Sequence, residues 1–382
     1  MRIALALGFC LITCVAVAAP WNKAESAEAR ASAPMQSLRD TYRSRINQNV
    51  VTIMAGSPTG TDLTIAYDIA RVVDDGDDLR VLPIVGQGAA QSVKDVMFLK
   101  GVDMGVTQAN ILKHFAKTGE LGPNFVNEIV YIAKLFTEEV HIIVPSEVTD
   151  IHELSGKPVS LGETGSGTAI TGNLLLAALG IDVKELHLSD AEAIEKLKAG
   201  EIAAAIVMAA KPGAAVANLT AADHLKLLPI PYTKDLEDSY YPATFSHDDY
   251  PALVAAGEDV DSVSVCTVLV SFNWDRDSVR YRRVAKFVDA FFDKFDEIQQ
   301  PPHHPKWREV NFAATLEGWH RSPASQDWID RATAGNAGNS TASKTSFDTF
   351  LAQKPELNGT RISEAQRAEL FRAFLEWNKN QQ

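Results

Sequence analysis

Apolar residues along this chain follow two alternating rhythms. Short apolar runs of strand length give way to small polar bends. After each bend, apolar residues recur at helical spacing. From Val50 the unit is VVTIMA, then GSPTGTD, then a helix face of Leu63, Ala66, Tyr67, Ala70 and Val73. LRVLPIV (Leu79 to Val85) is the next strand and GQGAAQS its bend, with Val93, Val96, Met97 and Lys100 on a helix ended by Gly101. VDMGV, the bend TQAN and the helix ILKHFAK complete the series. Repeated strand–bend–helix units predict a parallel, doubly wound α/β sheet. The bends of such a sheet gather at one edge, where ligands bind.

The strand IVYIAKL (Ile129 to Leu135) comes next, then FTEE, then VHIIVP (Val140 to Pro145). A polar joint, SEVTDIHELSGK, follows Pro145 and predicts a domain crossing there. A second set of units begins with KPVSL, the bend GETGSGT and the helical run ITGNLLLAALG, ended by Gly180. VKELHL is followed by Ser189-Asp190-Ala191-Glu192, a capping box that starts a helix reaching Gly200. EIAAAIVM, the bend AAKPG, a helix from Ala214 and the strand LKLLPIP complete this half. Residues 232–262 are irregular. VSVCTVLVSF (Val263 to Phe272) carries the chain back to the first half, and Arg276 to Gln300 reads as one amphipathic helix. Residues 322–346 are small and polar, and ISEAQRAELFRAFLEWNK is helical in pattern.

Composition narrows the classes. The chain has 382 residues, 46% hydrophobic and 22% charged, enough for two domains with cores. A net charge of −13 argues against a nucleic-acid surface. The start, MRIALALGFCLITCVAVAAP, has a basic residue, an apolar run and the small residues Ala16-Val17-Ala18. It reads as a signal peptide over 1–18, hence export, with an uncleaved anchor as the alternative. Thr13 before Cys14 argues against a lipid anchor at that cysteine. Cleavage leaves only Cys266, so no intrachain disulfide is expected, and its apolar run predicts a buried thiol.

The most informative bend is GETGSGT. Small residues there let an anion approach the backbone. The first N–H groups of the following helix lack internal partners and favour negative charge. Ser166, Gly167 and Thr168 are the candidate donors to a carboxylate or other small oxyanion, and an ordinary capped turn is the alternative. Enzyme signatures are weak. Ser166 lacks the glycine two before it that a nucleophile elbow needs, and AGSPTGTD lacks the lysine of a P-loop. No cofactor motif is found. His303 and His304 have no helical or cysteine partner for a metal.

In this order AGSPTGTD, GQGAAQS, FLKGVDMGVTQANIL, ELSGKPVSLGETGSGTAITGNLLLAALGI and LKAGEIAAAIVMAAKPG resemble the TAXI-type solute receptors of TRAP transporters, over roughly Val50 to Trp319. The resemblance implies two Rossmann-like α/β lobes joined by a hinge, the type II periplasmic binding protein fold, with lobe I over 48–144, lobe II over 145–244 and a return to lobe I over 245–330. Outside it, composition gives a linker with a peripheral helix (19–47), and the helical pattern near the end gives a C-terminal extension (331–382). The resemblance also implies a small-molecule carboxylate, amino acid or dicarboxylate, held between the lobes and passed to a TRAP-type membrane permease. Departures stand beside it: Asp62 where an aromatic is usual, alanines in AGEIAAAIV where an aspartate is usual, and Lys211 at a usually neutral or histidine position.

The candidate ligand-binding residues are Ser57, Thr59, Gly60 and Thr61, then Thr107, Gln108 and Asn110, from the first half. The second half supplies Thr164, Ser166, Gly167, Thr168 and Lys211. For Gln108 and Asn110 the alternative is a turn residue bonding its own backbone, and for Lys211 a solvated lysine. Glu138 and Glu139, in the turn that the resemblance puts near the cleft, read as surface carboxylates, with contact to a ligand amino group as the alternative, and Tyr67 reads as core. The reading is a binding protein, not an enzyme. The alternatives are a sensory module that reports ligand to a membrane signalling partner, and an enzyme on the same scaffold.

Overall fold

A computed structural model describes residues 25–338 except Thr59, and the side chains of residues 37–333. The expected signal peptide, Cys14 and the helical pattern after Gly338 lie outside the described residues. Helix α1 (Glu25–Gln48) falls in a unit of its own, and its described side chains are exposed except for half-buried Ile46. The other unit starts at Asn49.

In that unit β1 (Val50–Met54), α2 (Thr61–Val73), β2 (Arg80–Ile84), α3 (Ala89–Phe98), β3 (Met104–Gln108) and α4 (Ala109–Thr118) alternate as the periodicity predicts. The short α5 (Phe125–Glu128) leads into β4 (Ile129–Pro145). Next come β5 (Pro158–Ser160), α6 (Gly167–Ala178), β6 (Lys184–Leu186), α7 (Asp190–Lys198), β7 (Ala204–Ala209), α8 (Ala214–Ala217), β8 (Leu225–Leu227) and β9 (Tyr241–Ser246). The chain then returns through β10 (Asp259–Phe272), α9 (Val279–Asp293), α10 (Phe295–Ile298) and α11 (Pro323–Gly338).

The strands form one curled sheet in the order β2-β1-β3-β10-β4-β7-β5-β6, with β8 beside β4 and β9 beside β10. β2, β1 and β3 are parallel to one another, as are β6, β5 and β7. Strands β4 and β10 run antiparallel to these neighbours and belong to both half-sheets. β4 pairs with the end of β10 from Ile129, and with β7 from Glu139 to Ile143. β10 pairs with β9 over Asp259 to Ser264 and with β3 over Thr267 to Ser271. Their mutual register shifts between Cys266 and Val268. The two half-sheets therefore meet at Thr137–Glu139 on β4 and Ser264–Thr267 on β10.

Several local expectations change. FTEE is not a break between strands: Phe136 to Glu139 lies inside one 17-residue strand. It holds no Gly, Pro, Asn or Asp to turn the chain. The half-sheets exchange there, ahead of Pro145. TQAN is not a bend either, because Thr107 and Gln108 end β3 and Ala109 opens α4. The helix expected over Arg276–Gln300 divides at Lys294 into α9 and α10. LKLLPIP is a strand only to Leu227, since Pro229 and Pro231 cannot donate to a ladder. Tyr67 is 57% exposed.

Each half-sheet is covered on both faces. In the first lobe one core joins β1 to α2 and α9, and the other joins α3, α4 and β10. In the second, one core packs α6 and the other α7 and α8. Cys266 is buried in the α3–α4 core, and burial pushes its thiol up to about 12.

A short 3-10 helix, Pro305–Glu309, is tied into the first core by Trp307. Trp307 is fully buried, and its indole N–H donates to Asp68 Oδ2 at 2.8 Å. This anchor delivers Lys306 to the strand changeover. Trp307→Phe keeps most of the packing and loses the hydrogen bond to a buried carboxylate, so it should cost about 1–3 kcal/mol. Urea unfolding measures this, and an unchanged midpoint would remove the anchor role.

Candidate functional site

The polar bends of the two lobes meet at the changeover. From the first lobe come Gly56–Gly60, Val85–Gly88 and the β3–α4 junction. From the second come Gly162–Ser166 and Ala210–Gly213. Gly88, at φ +128°, allows the closest approach: a Cβ there would lie 2.6 Å from Ser166 Cα. Gln91 N–H donates to Gly165 carbonyl at 3.1 Å, and Ala210 N–H donates to Thr61 Oγ1 at 3.1 Å. Asn110 Nδ2 donates to Thr171 Oγ1 at 2.8 Å. Tyr240 hydroxyl donates to Thr171 carbonyl at 2.7 Å, and Ile170 packs on the first lobe's core.

The central side chain is Gln108. Its Nε2 donates to Glu138 Oε2 at 2.7 Å, and Thr171 hydroxyl reaches its Oε1 at 3.5 Å. A Cβ on Gly167 would stand 2.4 Å from Gln108 Oε1. The carboxamide thus fills the space before the first turn of α6. Ser166 is the N-cap of that helix and accepts from Ala169 N–H at 3.1 Å, the capped turn that stood as the alternative for this bend.

The other candidates are placed less uniformly. Gln108, Asn110, Thr61, Gly167 and Thr168 are buried together at the changeover. Ser57 is half-buried and closes its own bend by accepting Gly60 N–H at its carbonyl, 3.1 Å. Thr107 is fully buried and donates to Ala89 carbonyl at 2.9 Å, so its hydroxyl holds α3. Thr164 is exposed, and Thr59 lies outside the described residues. Lys211 Nζ donates to Asp249 Oδ2 at 2.9 Å and to Thr244 carbonyl at 2.7 Å; it is neither a free lysine nor the cation of the central cluster. A hollow of about 280 Å³ opens among Ile230, Tyr232, Pro242, Ala243, Thr244, Asp261 and Ser262, and none of the candidate residues lines it.

The largest correction concerns charge. Glu138 and Glu139 are each 2% exposed and are not surface carboxylates. Glu139 has a partner: Lys306 Nζ donates to its Oε1 at 2.6 Å, while its Oε2 accepts Lys211 N–H at 2.9 Å. Asp62, in the first turn of α2, is also buried. A helix N-terminus favours its charged form, but desolvation wins. Burial raises the Asp62 carboxyl well above the usual aspartate range, and neighbouring Glu138 raises it further. Burial likewise raises Glu138, against the hydrogen bond from Gln108.

Below the Ala210–Gly213 bend, His141 Nε2 meets Tyr250 hydroxyl at 2.6 Å, and that hydroxyl accepts Gly213 N–H at 2.8 Å. Burial lowers His141 to about 4, so it is neutral near pH 7 and fixes the bend without charge. Among the described residues, no group of three or more His, Cys, Asp or Glu is placed to hold a metal. Within the same residues no helix is long and apolar enough to cross a membrane.

Two half-sheets covered by helices, joined through two shared strands and facing each other with polar bends, define a two-lobed α/β protein. The chain belongs to the NMT1-like family, whose model matches residues 53–320. Its chain path is distantly similar to several solved structures. One, described as a periplasmic transporter, is 11% identical, with 77% of this chain and 96% of that one covered and a TM-score of 0.47. A TctC solute binding protein from Polaromonas is 16% identical, covering 65% of this chain and 88% of its own, with a TM-score of 0.37. The ligand binding component of an ABC-type import system from Staphylococcus aureus is 12% identical over 73% and 82%, with a TM-score of 0.42. None of these likenesses assigns a ligand to this chain.

Asp62 and Glu138 make folding pH-dependent with a definite sign. Their folded-state pKa values are raised, so their contribution is fully present below the ordinary carboxyl range, about pH 4. It is lost as pH rises through the raised values. Glu138→Gln keeps an acceptor for Gln108 and removes one titration. Its melting temperature should therefore gain on the wild type between pH 4 and 7, and parallel curves would contradict the buried pair.

Proposed function

We propose that this protein is an exported solute receptor that holds a small organic carboxylate between its lobes and delivers it to a TRAP-type membrane permease. The observation that carries the reading is the meeting of polar groups from both lobes at the strand changeover. Gln108 and Asn110 lie at the start of α4, and Ser166, Gly167 and Thr168 at the start of α6. Helix N-termini lined by small residues and hydroxyls bind carboxylates through N–H and O–H donors, without a formal cation. The TAXI-type subclass, the periplasmic location and the permease partner rest on the resemblance of the ordered motifs between Val50 and Trp319.

A carboxylate seated before Gly167 takes the space that the Gln108 carboxamide fills. Binding in this reading moves that flexible side chain and the lobes about β4 and β10, the hinge closure known for this class of protein. Ser57, Gly60, Thr107 and Thr164 then shape the rim or support the bends rather than supply the main charge-bearing contacts. Lys211 holds the AAKPG bend through Asp249.

Isothermal calorimetry of the mature protein against amino acids and dicarboxylates tests the reading. One-to-one binding without turnover is expected. Gly167→Val should abolish binding while the protein still folds, because the added side chain meets the movable end of Gln108. Thr168→Ala should weaken binding by about 1.5–3 kcal/mol if its hydroxyl donates to the charged group. Normal affinity in Gly167→Val would move the anion site elsewhere.

A further inference from the structure

Several buried polar atoms at the changeover lack hydrogen-bond partners. Asp62 is 8% exposed, and its buried Oδ1 has no hydrogen-bond partner. Asn110, 3% exposed, has an equally unpartnered Oδ1, and fully buried Thr267, set opposite Gln108 in the ladder, has an unpartnered hydroxyl beside Glu138. Apart from the Thr267 hydroxyl, which faces Glu138, the nearby donors are spent: Gln108 Nε2 on Glu138, Asn110 Nδ2 on Thr171, and Thr107 hydroxyl on Ala89 carbonyl. The nearby cations are also spent, Lys306 on Glu139 and Lys211 on Asp249. Asp62 and Glu138 therefore face each other's field without a basic partner of their own. Buried acceptors left unpaired are costly, and so are buried carboxylates without a cation.

We propose that Asp62 and Glu138 form the subsite for a cationic, hydrogen-bond-donating group of the ligand, so that the solute is a zwitterion of amino-acid type rather than a dicarboxylate. The inference rests on the carboxylate-receptor reading above and selects within it. The ligand carboxylate lies at Ser166–Thr168 and its ammonium group lies toward Asp62 and Glu138. Gln108, whose amide joins Glu138 to the front of Gly167, stands between the two positions. Burial raises both carboxyls, and an ammonium group beside the pair favours their charged forms.

The test is calorimetry of the full mature chain with the twenty amino acids and, in parallel, their des-amino acids, including succinate and glutarate. Binding of at least one amino acid, with its des-amino partner weaker by about 10-fold or more, is expected for a lost charge-assisted contact. The binding enthalpy should differ between phosphate and Tris buffers, reporting proton release. That difference should shrink in Glu138→Gln, which should also lose most of the discrimination. Asp62→Asn, checked for folding by its melting curve, provides a second variant with the same expectation. Equal or tighter binding of a dicarboxylate overturns the cationic subsite and leaves the receptor reading standing. No binding in either series by folded protein overturns both.

Discussion

Two strands that belong to both lobes constrain everything else in this structure. β4 and β10 cannot be assigned to one half-sheet or the other, and the exchange falls in the middle of each. A strand that passes from one core to the next keeps its backbone paired throughout, so side chains at the crossing are buried even when they are charged. That is why Glu138 and Glu139 sit deep in the protein. The same geometry gathers the ends of β3, β5 and β7, because each pairs directly with β10 or β4 or with a neighbour that does. The polar bends converge because the shared strands bring the two sheet edges to one place.

The electrostatics follow from that crossing. A carboxylate removed from water must lose its charge, find a cation or gather donors. Glu139 finds a cation, since the Trp307 anchor brings Lys306 into contact with it. Such buried pairs add little net stability, but removing one partner is costly, so Lys306 and Glu139 fix geometry more than they add strength. His141 takes the opposite course and remains neutral against Tyr250. Glu138 has neutral donors only, Gln108 foremost, and burial raises its carboxyl and that of Asp62. The unequal treatment of adjacent acids distinguishes a scaffold role for Glu139 from a ligand-directed role for Glu138.

Much of the fold was legible in the chain. Strand–bend–helix periodicity located β1 to α4, and Ser189 marked a helix start that the structure caps through an N–H bond to its hydroxyl, as it does at Ser166, where a cap was the alternative reading. The crossing was not legible, because its polar run looks like a turn. The signal was present in composition: Thr137-Glu138-Glu139 lacks any turn-forming residue and is flanked on both sides by apolar alternation. Thr107 and Gln108 were placed in a bend for the same reason, a polar pair at the end of a strand. Tertiary placement decided the remainder. No local pattern shows that Lys306 reaches Glu139 from 167 positions away, or that Lys211 turns toward Asp249. Asp62 was visible as an unusual residue, but only burial beside Glu138 gives it meaning.

Closure about the shared strands is the central claim, and a distance measurement tests it directly. Spin labels at Lys100→Cys on the first lobe and Glu195→Cys on the second occupy exposed positions, while Cys266 is buried and unreactive toward the label. Pulsed dipolar spectroscopy with and without a mixture of the twenty amino acids then reports the separation of the lobes. The account predicts a broad or two-peaked distribution that shifts to the shorter distance when ligand is added. A single distance that does not respond to a mixture which calorimetry shows to bind would contradict it.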